Sequence, residues 1–230
     1  FLNENENYGI VGTGVTNIDS AGFDLHHKIK FNIPNDQIPC RMLFNNYIAT
    51  SSVMLRKESI GNIRFKKEFL VAEDYEVWIQ IIRNWAIGHI REPLTKYRVH
   101  NDSISAKKKQ LMLDTELLLI RQQLSELQCN LSKEEFQAFC DISKDNQSPY
   151  YENFELINRM VSKLFNSNLK SKVFEIEPFR KLLFSYWYIF YLNIKNYNSK
   201  LLSETKKSGM YQLLTFKDKI KLILKCKISN

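Results

Sequence analysis

The hydrophobic pattern of the sequence changes once, near Ser105, and this change limits what the chain can fold into. Before Ser105, short runs rich in β-branched and aromatic residues are separated by Gly, Pro and Asn, a pattern typical of strands and turns. After Ser105, apolar residues recur at helical spacing to the end. The sequence therefore predicts an α/β region with a mixed sheet over residues 1–105 and an all-helical region over residues 106–230.

A β-hairpin is predicted at the start of the chain. Residues Tyr8–Asp19 form the first strand, Ser20–Gly22 the turn and Phe23–Ile33 the second strand. Gly12 and Gly14 do not make a dinucleotide fingerprint, because no third glycine follows at the required spacing and no helix opens after them. We expect them instead at a close backbone approach within the strand.

A second strand-like unit and a helix follow the hairpin. The run Met42–Arg56 is rich in apolar and small residues, which predicts a strand, and Gly61 marks a turn. The segment EDYEVWIQIIRNW has apolar residues at helical spacing and acidic residues in its first turn, where the helix dipole favours negative charge. We expect Gly88 to end this helix, and Ile90–His100 to be extended chain that Pro93 limits to an edge strand or an interrupted strand.

The rear half is predicted to be a series of helices. Ser132 and Glu135 have the spacing of a capping box. The apolar run around Phe184–Leu192 has about 13 residues, fewer than the roughly 20 that span a bilayer, so we expect a buried helix or an interfacial contact. The helical patterns cover Leu111–Leu127, Phe154–Phe165, Pro178–Ile194 and Phe216–Cys226.

Cysteine usage and charge narrow the class of protein. Four widely spaced cysteines without CxxC spacing indicate reduced thiols in the cytoplasm. The net charge of +8 favours an anionic partner, and its concentration from Lys195 onwards argues against a nucleic-acid groove. The segment FKDKIKLILKCKI is either a helix for an anionic membrane surface or an ordinary amphipathic helix with a solvated lysine face. Its predicted apolar face holds Phe216, Ile220, Ile223 and Leu224.

Three phrases between Ile48 and Ser105 carry a resemblance to a known family. They are IATSSVMLRKE, AEDYEVWIQI and EPLTKYRVHNDSIS, and the earlier IVGTGVTNID adds a fourth. In order and spacing they resemble the rear part of the catalytic domain of bacterial family 2 glycosyltransferases of the GT-A type. The resemblance covers about the first 105 residues. It implies a partial GT-A fold and an enzyme that acts in surface polysaccharide synthesis. With the reduced cysteines and the basic C-terminal helix, we expect this enzyme to be cytoplasmic and peripheral at the inner membrane face.

The resemblance also implies roles for individual residues. Asp74 would be the base that takes the proton from the acceptor hydroxyl, with Glu73 helping to place the acceptor. Arg98 would bind the donor diphosphate and His100 the diphosphate or its metal ion. The acceptor pocket would involve Ser51, Ser52 and Trp78.

Each of these residues also has a purely structural interpretation. Asp74 suits a helix N-cap, because aspartate performs that role well. Arg98 and His100 suit a solvated edge strand, and the two serines suit a packed strand. Trp78 suits the core. His26 and His27 are adjacent, so in a strand they point to opposite faces, cannot share a metal ion and are expected at the surface.

The front half of the resembled family has no counterpart in the sequence. That half carries an Asp-x-Asp motif that holds a nucleotide sugar with a divalent cation, Mg or Mn, and neither Asp19 nor Asp24 replaces it. We therefore expect transfer from a nucleotide sugar to a glycan or lipid-linked acceptor only together with that half, and no turnover by this chain alone. The alternative is a non-catalytic acceptor-binding or membrane scaffold module.

Overall fold

A computed structural model of the chain describes residues 1–29, 33–100, 103–143 and 153–228. The chain forms two compact units, residues 1–122 and residues 123–230. Their boundary falls inside a long helix, α5 (Lys109–Glu126), whereas the change in sequence pattern lies near Ser105. Each unit is described by itself below.

A four-stranded mixed sheet forms the centre of the first unit, which confirms the predicted α/β class. The strands are β1 (Tyr8–Ile18), β2 (Asp24–Ile29), β3 (Met54–Leu55) and β4 (Ala86–Arg98). Strand β1 pairs antiparallel with β2 and β3 and parallel with β4. The predicted hairpin is present as β1 and β2, but residues 30–32 of its predicted second strand lie outside the described residues.

Strand β4 begins earlier than the sequence indicates. Ala86 already pairs with Tyr8, so Gly88 lies inside the strand and does not end the preceding helix. That helix ends at Ile81 and is followed by a short turn. Pro93 pairs with Gly14 at an irregular point of the ladder, and among the described residues β4 pairs with β1 alone, as expected for a strand that tolerates proline.

The glycines of β1 allow close packing. A Cβ atom on Gly12 would lie 3.2 Å from Cδ2 of His89, which is tighter than ordinary van der Waals contact. A Cβ atom on Gly9 would lie 2.6 Å from Cβ of Ser59 and 2.8 Å from Cβ of Trp85. The predicted close approach within this strand is therefore confirmed at Gly12.

The predicted strand over Met42–Arg56 is mostly turn and loop. Only Met54–Leu55 is extended and paired, and a 3-10 turn occupies Thr50–Ser52. Polar side chains here bond to nearby backbone, which competes with a ladder. Asn46 Oδ1 accepts from the N–H of Ile48 at 3.1 Å, and Ser52 Oγ donates to the carbonyl of Ala49 at 2.8 Å.

Helices α1 (Ile38–Arg41), α3 (Glu73–Ile81) and α5 share one hydrophobic core with the sheet. The core includes Trp78, Tyr75 and Ile10, which are at most 1% exposed, together with Phe69 and Leu119. The first unit also contains the short helices α2 (Lys57–Ile60) and α4 (Ile104–Lys107).

The second unit is helical, as predicted. Its core is aromatic: Trp187 is fully buried and donates from Nε1 to Asn158 Oδ1 at 2.9 Å. The aromatic run of α8 (Ile176–Leu192) is largely buried, which agrees with the first of the two expectations, a buried helix rather than an interfacial contact. Among the described residues, none of the helices has the length and apolarity needed to cross a membrane. The helices are α6 (Lys133–Ser143), α7 (Phe154–Ser171), α8 (Ile176–Leu192), α9 (Ser199–Lys207) and α10 (Phe216–Ile228).

The capping box predicted at the start of α6 is present. The N–H of Glu135 donates to Ser132 Oγ at 3.2 Å, and the N–H of Ser132 donates to Glu135 Oε2 at 2.8 Å. Lys163 Nζ lies 2.6 Å from the same carboxylate. Burial opposes ionisation of Glu135, but the bonds from Lys163 and Ser132 outweigh it and lower the pKa of this carboxyl below its usual value.

We predict that Glu135→Gln lowers the free energy of unfolding by about 1–3 kcal/mol at neutral pH, because a charge-assisted contact in a buried site is lost. The stability that the ionised Glu135 supplies is present above the ordinary glutamate pKa of 4.5 and is lost as the pH falls through the lower folded value. Denaturant unfolding measured across this pH range should therefore have a shallower acid limb in the variant. Glu134→Gln, at the exposed neighbouring position, is the control; equal effects of the two changes would contradict the prediction.

Candidate functional site

The first turn of α3 presents two adjacent carboxylates. Ala72, the residue before the helix, has a left-handed backbone with φ of 55° and provides no side-chain cap. The helix begins at Glu73, whose side chain is exposed, and Asp74 is half-buried. Asp74 is therefore the second residue of the helix and not its N-cap, so the N-cap interpretation is wrong.

Both oxygens of Asp74 are held in place. Thr50 Oγ1 donates to Oδ2, and the backbone N–H of Tyr75 donates to Oδ1 at 2.7 Å. An ionised carboxylate has about four lone-pair positions, so these two bonds leave acceptor capacity on each oxygen. Thr50 was not predicted as a site residue; it lies 24 positions before Asp74, and no sequence spacing signals such a contact.

The rest of α3 fixes this carboxylate to the core. Tyr75 is fully buried, and its hydroxyl donates to the carbonyl of Met42. Glu76 is buried, and its Oε1 lies 2.6 Å from Lys66 Nζ and accepts from Gln80 Nε2 at 2.7 Å. The buried neighbours Tyr75 and Glu76 thus anchor the first turn of α3, and with it Asp74, to the core.

Two of the three residues assigned to the acceptor pocket have structural roles. Trp78 is 1% exposed and belongs to the hydrophobic core, so it does not line an open pocket. Ser52 is buried, where its Oγ bonds the carbonyl of Ala49 and accepts from the N–H of Thr13 at 3.4 Å. Ser51 alone is exposed, on the same 3-10 turn as Thr50.

The two residues assigned to the donor diphosphate lie elsewhere on the sheet. Arg98 ends β4, and its Nη1 donates to the carbonyls of Asp19 at 2.9 Å and Ser20 at 2.7 Å, which closes the β1–β2 turn. His100 is exposed just beyond the strand. In the described residues, no hydrogen bond or ion pair joins either of them to Asp74.

The strand register shows how far Arg98 is from the loop that holds Asp74. Arg98 pairs with Ile18, whereas that loop bonds β1 at Thr13. Five residues of strand span about 17 Å. Asp74 and Arg98 are therefore anchored to different parts of β1.

The histidines do not form a metal centre. Among the residues that the structure describes, no three His, Cys, Asp or Glu side chains converge to hold a metal ion. His26 and His27 are exposed, as predicted, and His27 Nδ1 lies 3.0 Å from Asn17 Nδ2. His89, which the sequence analysis did not single out, is buried beside Gly12, and burial lowers its pKa.

Comparison with known proteins gives no match to any family model, curated protein or solved structure.

Arg98→Ala is predicted to destabilise the first unit by about 1 kcal/mol, because the guanidinium bonds two carbonyls of the β1–β2 turn. The measurement is denaturant unfolding. Arg91→Ala, an exposed arginine on the same strand, is the control and should have little effect. If both variants unfold alike, Arg98 does not stabilise the turn.

Proposed function

We propose that this chain is the acceptor-side part of a glycosyltransferase that transfers a sugar from a nucleotide-sugar donor to a glycan or lipid-linked acceptor in bacterial surface polysaccharide synthesis. The observation that carries the proposal is the half-buried, oriented carboxylate of Asp74 beside the exposed Glu73. Both lie in the phrase AEDYEVWIQI, which resembles the base-bearing helix of family 2 glycosyltransferases.

Asp74 has the geometry that deprotonation of a sugar hydroxyl requires. Inverting transfer needs a carboxylate that accepts the proton of the acceptor hydroxyl while the nucleoside diphosphate leaves. Thr50 and the N–H of Tyr75 fix the orientation of Asp74 and leave lone pairs for that hydroxyl. Ionised Asp74 also lies in the first helical turn, where the dipole favours a negative charge.

Glu73 and Ser51 are the groups that can contact an acceptor. Both side chains are exposed, and Ser51 neighbours Thr50, which donates to Asp74. An acceptor with several hydroxyls can bond the carboxylate of Glu73 and the hydroxyl of Ser51 while it presents one hydroxyl to Asp74. Glu73 is thus a positioning group in this proposal, and Asp74 is the base.

The donor side of the reaction requires groups beyond this site. A departing nucleoside diphosphate needs positive charge or a divalent cation such as Mg or Mn. The described residues hold no three-residue metal cluster, and Arg98 donates to the β1–β2 turn instead. We therefore propose that the nucleotide sugar and its metal ion are bound by the nucleotide-binding half that the resemblance implies.

The decisive test compares the chain alone with the polypeptide that includes the coding sequence preceding Phe1 in its gene. Nucleoside diphosphate release is measured with UDP-, GDP- and dTDP-sugars, Mg or Mn, and polyprenyl-linked acceptors. We expect turnover only by the longer polypeptide. Turnover by the chain alone would contradict the proposal that another half binds the nucleotide sugar. A stop codon just upstream of Phe1 would favour the acceptor-binding or scaffold alternative.

Asp74→Asn in the longer polypeptide is predicted to lower kcat by about 10²–10⁴-fold, since the base is lost while the shape is kept. Glu73→Gln should mainly raise the KM for the acceptor. Asp114→Asn, an exposed aspartate on α5, is the matched control and should leave both constants unchanged. An active Asp74→Asn enzyme would refute the assignment of the base.

A further inference from the structure

Helix α10 exposes an apolar stripe on the outside of the second unit. Phe216 is 80% exposed, Ile220 41% and Leu224 52%. These three residues are four positions apart, so they lie along one side of the helix. The opposite side is buried through Leu222, which is fully buried, and Cys226, which is 2% exposed. The apolar residues of this helix thus divide between the core and the surface.

Lysines border this stripe. Lys217 and Lys221 are exposed and follow Phe216 and Ile220 by one residue, a rotation of about 100° around the helix. Residues 195–230 contain nine lysines and two acidic residues, a net charge of +7 out of +8 for the whole chain. The apolar stripe therefore lies in the most basic part of the sequence.

The two acidic residues of this segment are engaged within the fold. Asp218 Oδ2 accepts from Thr215 Oγ1 at 2.7 Å and from the hydroxyl of Tyr188 at 3.3 Å. Glu204 lies 3.7 Å from Lys207 in the preceding helix. In the part of the chain that the structure describes, neither of them forms an ion pair with the lysines that border the stripe. The positive charge beside the stripe is thus available to an external anion.

The helix is formed and anchored before any partner binds. The N–H of Asp218 donates to Thr215 Oγ1 at 3.2 Å, which caps the first turn. Tyr191 donates from its hydroxyl to the carbonyl of Asp218 at 2.9 Å, and Lys225 Nζ lies 4.5 Å from the ring centroid of Tyr197. Docking of this surface therefore avoids the entropic cost of ordering a disordered segment.

We propose that α10 docks the second unit on an anionic lipid surface. The exposed stripe enters the boundary between headgroups and acyl chains, and the bordering lysines contact lipid phosphates. A second copy of this chain fits this surface less well, because two faces of strong positive charge would repel. A nucleic acid would satisfy the lysines but would leave the aliphatic side chains of Ile220 and Leu224 without an apolar partner.

Vesicle co-sedimentation tests the charge component. The whole chain is mixed with phosphatidylcholine vesicles with and without phosphatidylglycerol, and binding is expected only where phosphatidylglycerol is present. The double change Lys217→Gln and Lys221→Gln should weaken this binding about thirtyfold, about fivefold for each lysine. The control is Lys170→Gln with Lys181→Gln, which removes the same charge from exposed positions on α7 and α8. Equal losses from both pairs, or equal binding to the neutral vesicles, would overturn the proposal.

A separate variant tests how much the apolar stripe contributes to vesicle binding. Phe216, Ile220 and Leu224 changed together to Ala should weaken binding by about tenfold or more, since the buried apolar area is lost. The changes are at exposed positions, so the fold should be retained; circular dichroism checks this. The control changes Leu169 and Ile176, which are 42% and 41% exposed on other helices, to Ala. A triple variant that is folded and binds normally would overturn the proposal.

Insertion can be observed directly. All four native cysteines are buried, so Phe216→Cys would provide the one exposed thiol for an environment-sensitive dye. We expect a blue shift on addition of phosphatidylglycerol vesicles and none on addition of a nucleic acid. A dye at Leu169→Cys should show no shift in either case. A shift with nucleic acid alone, or at both labelled positions alike, would overturn the proposed surface.

Discussion

The pairing of β1 on both of its edges is the constraint on which the first unit depends. One edge of β1 pairs with β4 along nearly the full length of β1, and the other edge pairs with β2 and β3. The carbonyl of Gly9 accepts from the N–H of Arg56 at 2.8 Å and from Ser59 Oγ at 2.9 Å. The N–H of Thr13 donates to Ser52 Oγ at 3.4 Å. The loop that carries Thr50 is thus fastened to β1, and through it Asp74 is oriented.

Glycine makes this crowding possible. Both atoms that a side chain on Gly9 would meet first, in Ser59 and Trp85, are Cβ atoms, which cannot rotate away. Gly12 instead leaves room for the ring of His89, a buried polar group whose pKa is lowered by burial. The strand therefore needs glycine at position 9, whereas a Cβ atom at position 12 would require the ring of His89 to shift by a few tenths of an ångström.

Sequence patterns predicted the features that arise within a few residues. β1, α3 and the Ser132–Glu135 capping box depend on alternation, helical periodicity and short spacing, and the structure contains all three. Helix α9 was missed because its sequence is mostly polar, and the signal that it offers is the cap in which Asn198 Oδ1 accepts from Leu201 N–H at 2.7 Å. Contacts between residues that are far apart in the sequence have no local pattern from which they could be predicted.

The site illustrates this limit. The sequence predicted that Glu73 and Asp74 begin a helix. It did not predict the hydrogen bond from Thr50 to Asp74, or the hydrogen bonds from Arg98 to the turn carbonyls. Trp78 shows the opposite case, because its helical spacing with Val77 and Ile81 already indicated a core position, which the structure confirms. Residues that resemble a family's motif can thus have structural roles, and burial separates them from those open to a ligand.

The backbone of Ala72 connects folding energetics to the proposed chemistry. A left-handed conformation costs a residue with a Cβ atom about 1–2 kcal/mol. Burial of Tyr75 and Trp78 one turn later contributes about 1.5–3 kcal/mol for each large side chain, so the core can hold the chain in this conformation. The sharp turn lets the chain enter α3 with Glu73 exposed and Asp74 half-buried, instead of a polar N-cap residue before them. The first turn of α3 therefore has no side-chain cap, and its two carboxylates are at least partly exposed. The proposed contact with an acceptor hydroxyl requires this exposure.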